Sequence, residues 1–158
     1  KEITQYLVDL SHRNLRPAEA ALIPALIHAV NDAERIGDHC KSICELGAQL
    51  RIDRNNLSAQ ATEDVRAIQS LLNEQTRTVH EALLDSSLSN LDNVQQREDK
   101  LDHAILAASE NHVHRLEKGE CDVQAGILFL DSLTHFERIG DHLVNILERV
   151  TLRNYDED

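Results

Sequence analysis

The hexapeptide ERIGDH occupies residues 34–39 and recurs letter for letter at residues 137–142, which is 103 positions further along the chain. An identical hexamer at that distance is most unlikely by chance, so it marks two copies of one structural unit. Both copies lie inside long apolar-periodic segments, which predicts two related helices. Each copy also holds a Glu and an Asp four residues apart, a spacing that places two carboxylates on one helix face.

The composition favours an all-α fold. A chain of 158 residues is long enough for one domain with a buried core, and it has only five Gly, two Pro, two Tyr, two Phe and no Trp. Acidic residues outnumber basic ones by 28 to 16, for a formal net charge of −12. Such a surface repels phosphate backbones, so nucleic acid is not an expected partner.

The cysteine count and the lack of a signal-peptide pattern indicate a reducing, cytoplasmic setting. Cys40 and Cys44 are one helical turn apart on a predicted apolar stripe, so we expect them to be reduced core residues. No apolar run is long enough to span a membrane. The chain contains no methionine, so we expect it to be a piece of a longer polypeptide.

Apolar periodicity and turn residues predict five helices in an antiparallel bundle, because short loops connect neighbouring antiparallel helices. The predicted helices cover residues 1–13, 17–52, 56–84, 91–118 and 121–153. Ser58 or Asn56 is the expected cap of the third helix, and Gly119 is the residue that ends the fourth. Cys121 or Asp122 is expected to open the fifth helix.

Each predicted helix has one face for the core. On the second helix this stripe is Leu26, Val30, Ala33, Gly37, Cys40, Cys44 and Gly47. The faces of the third, fourth and fifth helices are Val65, Ile68, Leu72, Val79 and Leu83; Leu91, Val94, Leu101, Ile105 and Val113; and Leu130, Leu133, Phe136, Gly140, Leu143 and Leu147. A glycine inside a helix costs about 1 kcal/mol relative to alanine, so Gly37 and Gly140 predict close helix approach. Five scattered histidines are expected at the surface or its boundary: His12, His28, His80, His112 and His114.

We divide the single domain, residues 1–158, into two repeats. Residues 1–56 form a partial first repeat, residues 57–153 form the second, and residues 154–158 are an expected frayed tail. The second repeat has three predicted helices and the first only two. The first repeat is therefore expected to lack its leading helix, and the apolar groove left open would favour a homodimer.

A third acidic cluster, formed by Glu98, Asp99 and Asp102, lies on the fourth predicted helix. Pairing of the fourth and fifth helices is expected to bring it to Glu137 and Asp141. Crowded carboxylates stay ionised only beside positive charge, which a neighbouring arginine or a metal cation can supply. Acid pairs are also common on helix faces that simply contact solvent, so a purely structural role stays open.

The kind of metal follows from the available ligands. Oxygen ligands suit Mg, Mn, Ca or Fe, and His103, His135 and His142 offer nitrogen for Fe or Zn. The chain lacks the paired Glu-x-x-His motifs of ferritin-like di-iron proteins, and it has no P-loop, nucleophile triad or dinucleotide-binding turn. We therefore expect no enzymatic activity. The alternative hypothesis is a metalloenzyme that acts on phosphoryl or oxygen substrates.

The repeated segments, VNDAERIGDH at 30–39 and LTHFERIGDH at 133–142, resemble the signature of the PhoU family, as does EDKLD at 98–102. Residues 3–15 and 110–121 are similar to the PhoU-like cytoplasmic domain that follows the membrane part of bacterial Na⁺/phosphate cotransporters. The resemblance implies two three-helix repeats, acidic motifs that bind iron or zinc clusters, and a role in regulating phosphate uptake. The metal-ligand candidates it implies are Glu34, Asp38, Glu98, Asp99, Asp102, Glu137 and Asp141.

These features together predict a non-enzymatic, regulatory metal-binding domain of a sodium-dependent phosphate transporter, with Fe, Zn or Mn as the expected metal. Its expected partner is the membrane transporter portion of the same polypeptide, and its expected location is cytoplasmic, tethered at the inner face of the membrane. One alternative is a stand-alone PhoU-type regulator of a phosphate ABC transporter and its sensor kinase. Another is a purely structural helical interaction module.

Overall fold

The computed structural model describes residues 2–85 and 89–151, and these residues form five α-helices without a β-strand. The helices are α1 (Glu2–Ser11), α2 (Pro17–Ile52), α3 (Ala59–Asp85), α4 (Ser89–Glu117) and α5 (Val123–Thr151). The predicted all-α, five-helix fold is confirmed. The expected tail at 154–158 lies outside the described residues. Over the described part of the chain, none of the helices has the length and apolar character needed to cross a membrane.

Polar caps fix the ends of the helices. The side chains of Ser58 and Asp122 accept hydrogen bonds from backbone N–H groups in the first turns of α3 and α5, at 3.2 and 2.8 Å. At the end of α4, Gly119 has a φ of +69°. The Glu120 N–H donates back to the Arg115 carbonyl at 2.9 Å, the closing bond of a Schellman motif. The left-handed φ explains why glycine ends this helix.

Helices α3, α4 and α5 pack against one another around the main hydrophobic core. Helix α2 packs along α5, and α1 packs against α2. The core residues that α3 and α5 contribute confirm most of their predicted faces: Ile68, Leu72 and Val79 from α3, and Leu133, Phe136, Gly140, Leu143 and Leu147 from α5. This central position of α5 explains why its predicted stripe is correct, since neighbouring helices cover several of its sides.

The predicted core stripe of α2 is wrong. Its lower part, Ala33, Gly37, Cys40, Cys44 and Gly47, is exposed, whereas Ile36 and Ile43 are half-buried against the core. Among the described residues α2 packs only on α1 and α5, so one narrow face is covered. Periodicity gives the spacing of a buried stripe, but the neighbouring helix decides which stripe is used. The two cysteines are thus free and exposed rather than core residues.

The inner face of α4 is also shifted from its prediction near its end. Val113 is 48% exposed, whereas His112 is only 2% exposed. The buried positions of α4 continue from Leu101 through Ile105 and Ala108 to His112, a 4-3-4 spacing. The expectation that His112 is a surface residue is therefore wrong. Burial, together with nearby Arg115, lowers the pKa of His112.

Candidate functional site

Helices α4 and α5 bring three of the predicted acidic residues into one electrostatic environment. Burial, followed by the neighbouring carboxylates of Asp102, Asp141 and Asp99, raises the pKa of Glu98 to about 7. Burial and the carboxylates of Asp141 and Asp99 also raise the pKa of Asp102. Asp141 therefore lies close enough to Glu98 and Asp102 to disfavour the ionised forms of those two residues. The expected pairing of the two helices around these acids is observed.

A glycine allows this close approach. A Cβ atom added at Gly140 would lie 2.6 Å from Leu101 Cδ2 and 3.2 Å from both carboxylate oxygens of Glu98. The fully buried amide of Gln75, from α3, donates to the Glu98 carboxylate and lies 3.4 Å from the Gly140 carbonyl. All three helices of the second repeat thus meet at Glu98, and the predicted close approach is confirmed at this glycine.

The acids of the second repeat border two different clefts or are exposed. Glu137 and Asp102 line a cleft of about 560 Å³ between α4 and α5, together with His103 and several apolar side chains. Asp99 is exposed on α4. Glu98 and Asp141 line a different cleft, described below.

The acids of the first repeat are not joined to this group. Glu34 and Asp38 are exposed on α2, and Glu34 borders a groove of about 520 Å³ next to Glu2 of α1. A Cβ atom added at Gly37 would meet nothing within 4 Å. Across residues 2–85 and 89–151, no three His, Cys, Asp or Glu side chains form a group arranged to hold a metal ion. The metal roles of the seven acidic residues, and the choice of Fe, Zn or Mn, stay predictions.

A chain of polar contacts between α2 and α5 was missed by the sequence reasoning. The nearly buried carboxylate of Asp32 accepts a hydrogen bond from His142 Nδ1 at 2.9 Å, and Arg149 Nε lies 3.4 Å from its other oxygen. His39 stacks on His142 with ring centroids 5.7 Å apart. The Nδ1 atoms of His39 and His135 share a hydrogen bond of 2.9 Å. Burial, then the charges of His135, His142 and Arg138, lower the pKa of His39.

These contacts involve equivalent positions of the two repeats. Asp32 and His135 occupy equivalent positions of the two copies, and so do His39 and His142. The Asp32–His142 contact of one half therefore corresponds to the His135–His39 contact of the other, with histidine in place of aspartate. The two hexamers thus cross in an approximately two-fold arrangement. Comparing the residues that flank the two hexamers would have revealed this signal.

The same crossing forms a second cleft, of about 620 Å³, between α2, α4 and α5. It contains the arginine of both hexamers, Arg35 and Arg138. Arg138 Nη1 lies 3.1 Å from an Asp141 carboxylate oxygen in a half-exposed ion pair. The other polar side chains of the cleft are His39, Gln95, Glu98, Thr134, His135, His142 and Asn145. This cleft is rich in hydrogen-bond donors on its α2 and α5 walls.

Two curated relatives are similar to this chain over most of its length. A phosphate-specific transport system accessory protein PhoU homolog of Deinococcus radiodurans is 23% identical over 134 residues, which are 82% of this chain and 59% of the relative. A protein of the same name from Streptococcus pneumoniae serotype 4 is 23% identical over 133 residues, 84% of this chain and 60% of the relative. The chain thus spans about 60% of the length of the curated relatives it matches.

These relatives correct the expected partner. Both are named as accessory proteins of a phosphate-specific transport system. The prediction that the partner is the membrane transporter portion of the same polypeptide is therefore wrong. It depended on the short segments at 3–15 and 110–121.

A solved structure and a protein-family model both match this chain. The crystal structure of the phosphate transport system regulatory protein PhoU from Streptococcus pneumoniae superposes with a TM-score of 0.84 at 20% sequence identity, covering 99% of this chain and 72% of that chain. The PhoU domain model matches residues 1–47 and 60–150, so each match contains one copy of ERIGDH. With most of its residues matched in two segments, the chain belongs to the PhoU domain family.

Proposed function

We propose that this chain is a non-enzymatic regulator of bacterial phosphate transport that acts as an accessory protein of a phosphate-specific transport system. The observation that carries the proposal is the match to the PhoU domain over residues 1–47 and 60–150. The names of the two curated relatives support the same role. The sequence allows two hypotheses, a domain of a phosphate cotransporter and a regulator of a separate transporter and its sensor kinase. The second hypothesis is therefore the better supported.

The proposed place of action is the cytoplasmic side of the membrane, where a regulator can contact both a transporter and a sensor kinase. The long α2–α5 crossing is a suitable regulated element, since it joins the two repeats and includes the polar contacts of Asp32 with His142 and of His39 with His135. A change in the angle of this crossing would alter the surface offered to a partner. Charged surfaces also steer association, and the net charge of −12 favours a basic docking surface on that partner.

We further propose that the acidic region of the second repeat binds a cation, with Fe, Zn or Mn as the first candidates. Burial and then the neighbouring carboxylates, Asp141 among them, raise the pKa of Glu98 and Asp102, which supports this choice of residues. A bound cation would supply positive charge that stabilises all three ionised carboxylates. Glu98 would then hold α4 at a fixed distance from Gly140 of α5.

The cation proposal is tested by elemental mass spectrometry of tag-free protein. We expect roughly stoichiometric metal in the wild type and its loss from a Glu137→Ala/Asp141→Ala variant. A Glu63→Ala/Glu81→Ala variant removes the same charge from the exposed surface of α3 and should keep the metal. Absence of metal from the wild type, even after reloading with Fe, Zn and Mn, would refute cation binding and leave the acids as solvated helix surface.

The regulatory function is tested in the source bacterium with a reporter of the phosphate-starvation response. Deletion of the gene should raise reporter expression in phosphate-rich medium, and the wild-type gene should restore repression. We expect a variant that disrupts the crossing, Asp32→Ala/His142→Ala, to restore repression poorly at equal protein level. An unchanged reporter and unchanged phosphate uptake after deletion would contradict the proposed function, whatever the metal content.

A further inference from the structure

The cleft at the α2–α5 crossing has an asymmetry that suggests a ligand. On one side of the approximate two-fold, His142 contacts the carboxylate of Asp32. On the equivalent side, His39 contacts His135, so no carboxylate occupies the corresponding place. Each arrangement uses the same helix positions of the repeat, and only the second one lacks the negative charge. The His39–His135 side is therefore the half of the crossing that is short of an anion.

Positive groups surround this half. Arg35 and Arg138 line the same cleft, although they come from different repeats. His39 and His135 bond each other through Nδ1. Guanidinium groups and ring N–H groups are the donors with which proteins hold phosphate-type anions.

Two carboxylates also border the cleft and must be considered. Asp141 is paired with Arg138 at 3.1 Å, and Glu98 accepts a hydrogen bond from the buried amide of Gln75. Glu98 belongs to α4 and Asp141 to α5. The α2 side of the cleft contributes Arg35 and His39 and no acid among its lining residues. The cleft thus has one carboxyl group on its α4 side, the Arg138–Asp141 ion pair on its α5 side, and an arginine with a histidine on its α2 side.

We propose that Arg35, His39, His135 and Arg138 bind a phosphate group in the cleft that they line, beside the His39–His135 pair. Neutral donors on the rim, Gln95, Thr134 and Asn145, suit the remaining oxygens. The choice of phosphate among tetrahedral oxyanions rests on the proposed function. Binding at this crossing would link phosphate concentration to the contact between the two repeats.

The test is titration of the purified chain with inorganic phosphate, followed by calorimetry and by NMR signals of the histidine rings. We expect shifts of the His39 and His135 rings, and at least about tenfold weaker binding to an Arg35→Gln/Arg138→Gln variant. The control is Arg77→Gln, which removes an exposed arginine of α3 outside the cleft and should bind like the wild type. Equal affinity of the wild type and the double variant would overturn the proposal, and so would the absence of binding.

A second variant tests the symmetry argument directly. His135→Asp places a carboxylate against His39, as Asp32 is placed against His142, and should abolish phosphate binding without loss of folded structure. Retained binding in this variant would contradict the assigned location. Vesicles of phosphatidylglycerol, compared with phosphatidylcholine, distinguish a lipid phosphate from the free anion, and binding of either that the arginine variant loses supports the site. The reporter assay is independent of these measurements, so failure here leaves the regulatory role standing.

Discussion

The two copies of ERIGDH have the same sequence and different surroundings. In the α5 copy, Gly140 is buried under Leu101 and Glu98 of α4, and the acids nearby repel one another. In the α2 copy, Gly37 and Asp38 are exposed, and the glycine has open space where its counterpart has a helix. The same glycine of the hexamer therefore lies in a packed junction in one copy and on an exposed surface in the other.

The difference comes from the neighbouring helices rather than from the hexamer. Helix α5 has α2, α3 and α4 around it, whereas α2 has only α1 and α5 in the described residues. A hexamer face becomes a core face only when a further helix covers it. The faces that the two copies turn toward each other, through His39 and His142, behave alike because each is the other's partner.

Replacing each glycine in turn should give the largest contrast between the copies. Gly140→Leu would push a side chain into Leu101 and the Glu98 carboxylate, and we expect a loss of about 3 kcal/mol in the free energy of unfolding. Gly37→Leu meets nothing within 4 Å and exchanges glycine for a better helix former, so stability should be unchanged or rise by up to about 1 kcal/mol.

Urea denaturation of both variants measures this contrast. Equal destabilisation by the two substitutions would show that the α2 copy is covered in solution, and the comparison between a packed and an open copy would fail. Gly140→Ala is an intermediate step. Its methyl group meets the movable end of Leu101, so we expect it to cost less than Gly140→Leu.

The polar contacts of the crossing should show the next largest difference. Asp32→Ala removes a nearly buried acceptor from His142 Nδ1, and we expect a loss of about 1–3 kcal/mol. His135→Ala removes the equivalent partner of His39, but this pair contains no carboxylate and should contribute only about 0.5–1.5 kcal/mol. Thermal or urea unfolding at neutral pH gives both values. Asp32→Asn keeps an acceptor oxygen and should recover part of the loss, while a larger effect at His135 than at Asp32 would contradict the assigned asymmetry.

The sequence predicted the helices much better than their faces. The bounds of α2, the caps at Ser58 and Asp122 and the Gly119 terminus all follow from local chemistry, because caps and turns depend on nearby residues. The wrong face of α2 has a different cause. Two stripes of small and apolar residues are present on this helix, and the arrangement of α5 decides between them.

The sequence also predicted only part of the candidate site. The closeness of Glu98 to Asp141 follows from helix pairing, and the sequence indicated it. The Asp32–His142 contact joins residues 110 positions apart on different helices, so no local pattern reports it. Only the register of the repeat, applied to flanking residues as well as to the hexamer itself, contains that information.

The pH dependence of the free energy of unfolding should show the effect of the acids packed beside the α5 copy of the hexamer. Because the pKa of Glu98 is raised to about 7, the folded state binds this proton more tightly than the unfolded state, whose pKa is about 4.3. Glu98 therefore lowers stability progressively as pH rises from about 4.3 to about 7. The lowered pKa of His39 acts in the opposite direction, since stability is lost as pH falls below about 6.5 and the unfolded state takes up the proton.

Urea denaturation of a Glu98→Gln variant across this pH range isolates the carboxyl contribution. We expect the variant to lack the decline between pH 4.3 and 7 that Glu98 causes, because an amide cannot ionise. Glu45→Gln, on the exposed surface of α2, controls for the loss of one negative charge. Identical pH profiles for the wild type and Glu98→Gln would mean that Glu98 does not lie in the crowded region between α4 and α5.

Thiol labelling should show the smallest effect among these tests, since it reports the exposure of the cysteine side chains without changing the fold. Cys40 and Cys44 are exposed on the open face of α2, whereas Cys121 is half-buried beside His112. We expect a thiol reagent to react with two sites quickly and with one slowly, because access limits the reaction of the thiolate. A Cys40→Ser/Cys44→Ser variant should retain only the slow phase, with stability within about 0.5 kcal/mol of the wild type. Slow labelling of Cys40 and Cys44 in the wild type would instead mean that another surface covers α2, and the open copy of ERIGDH would then be a second packed junction.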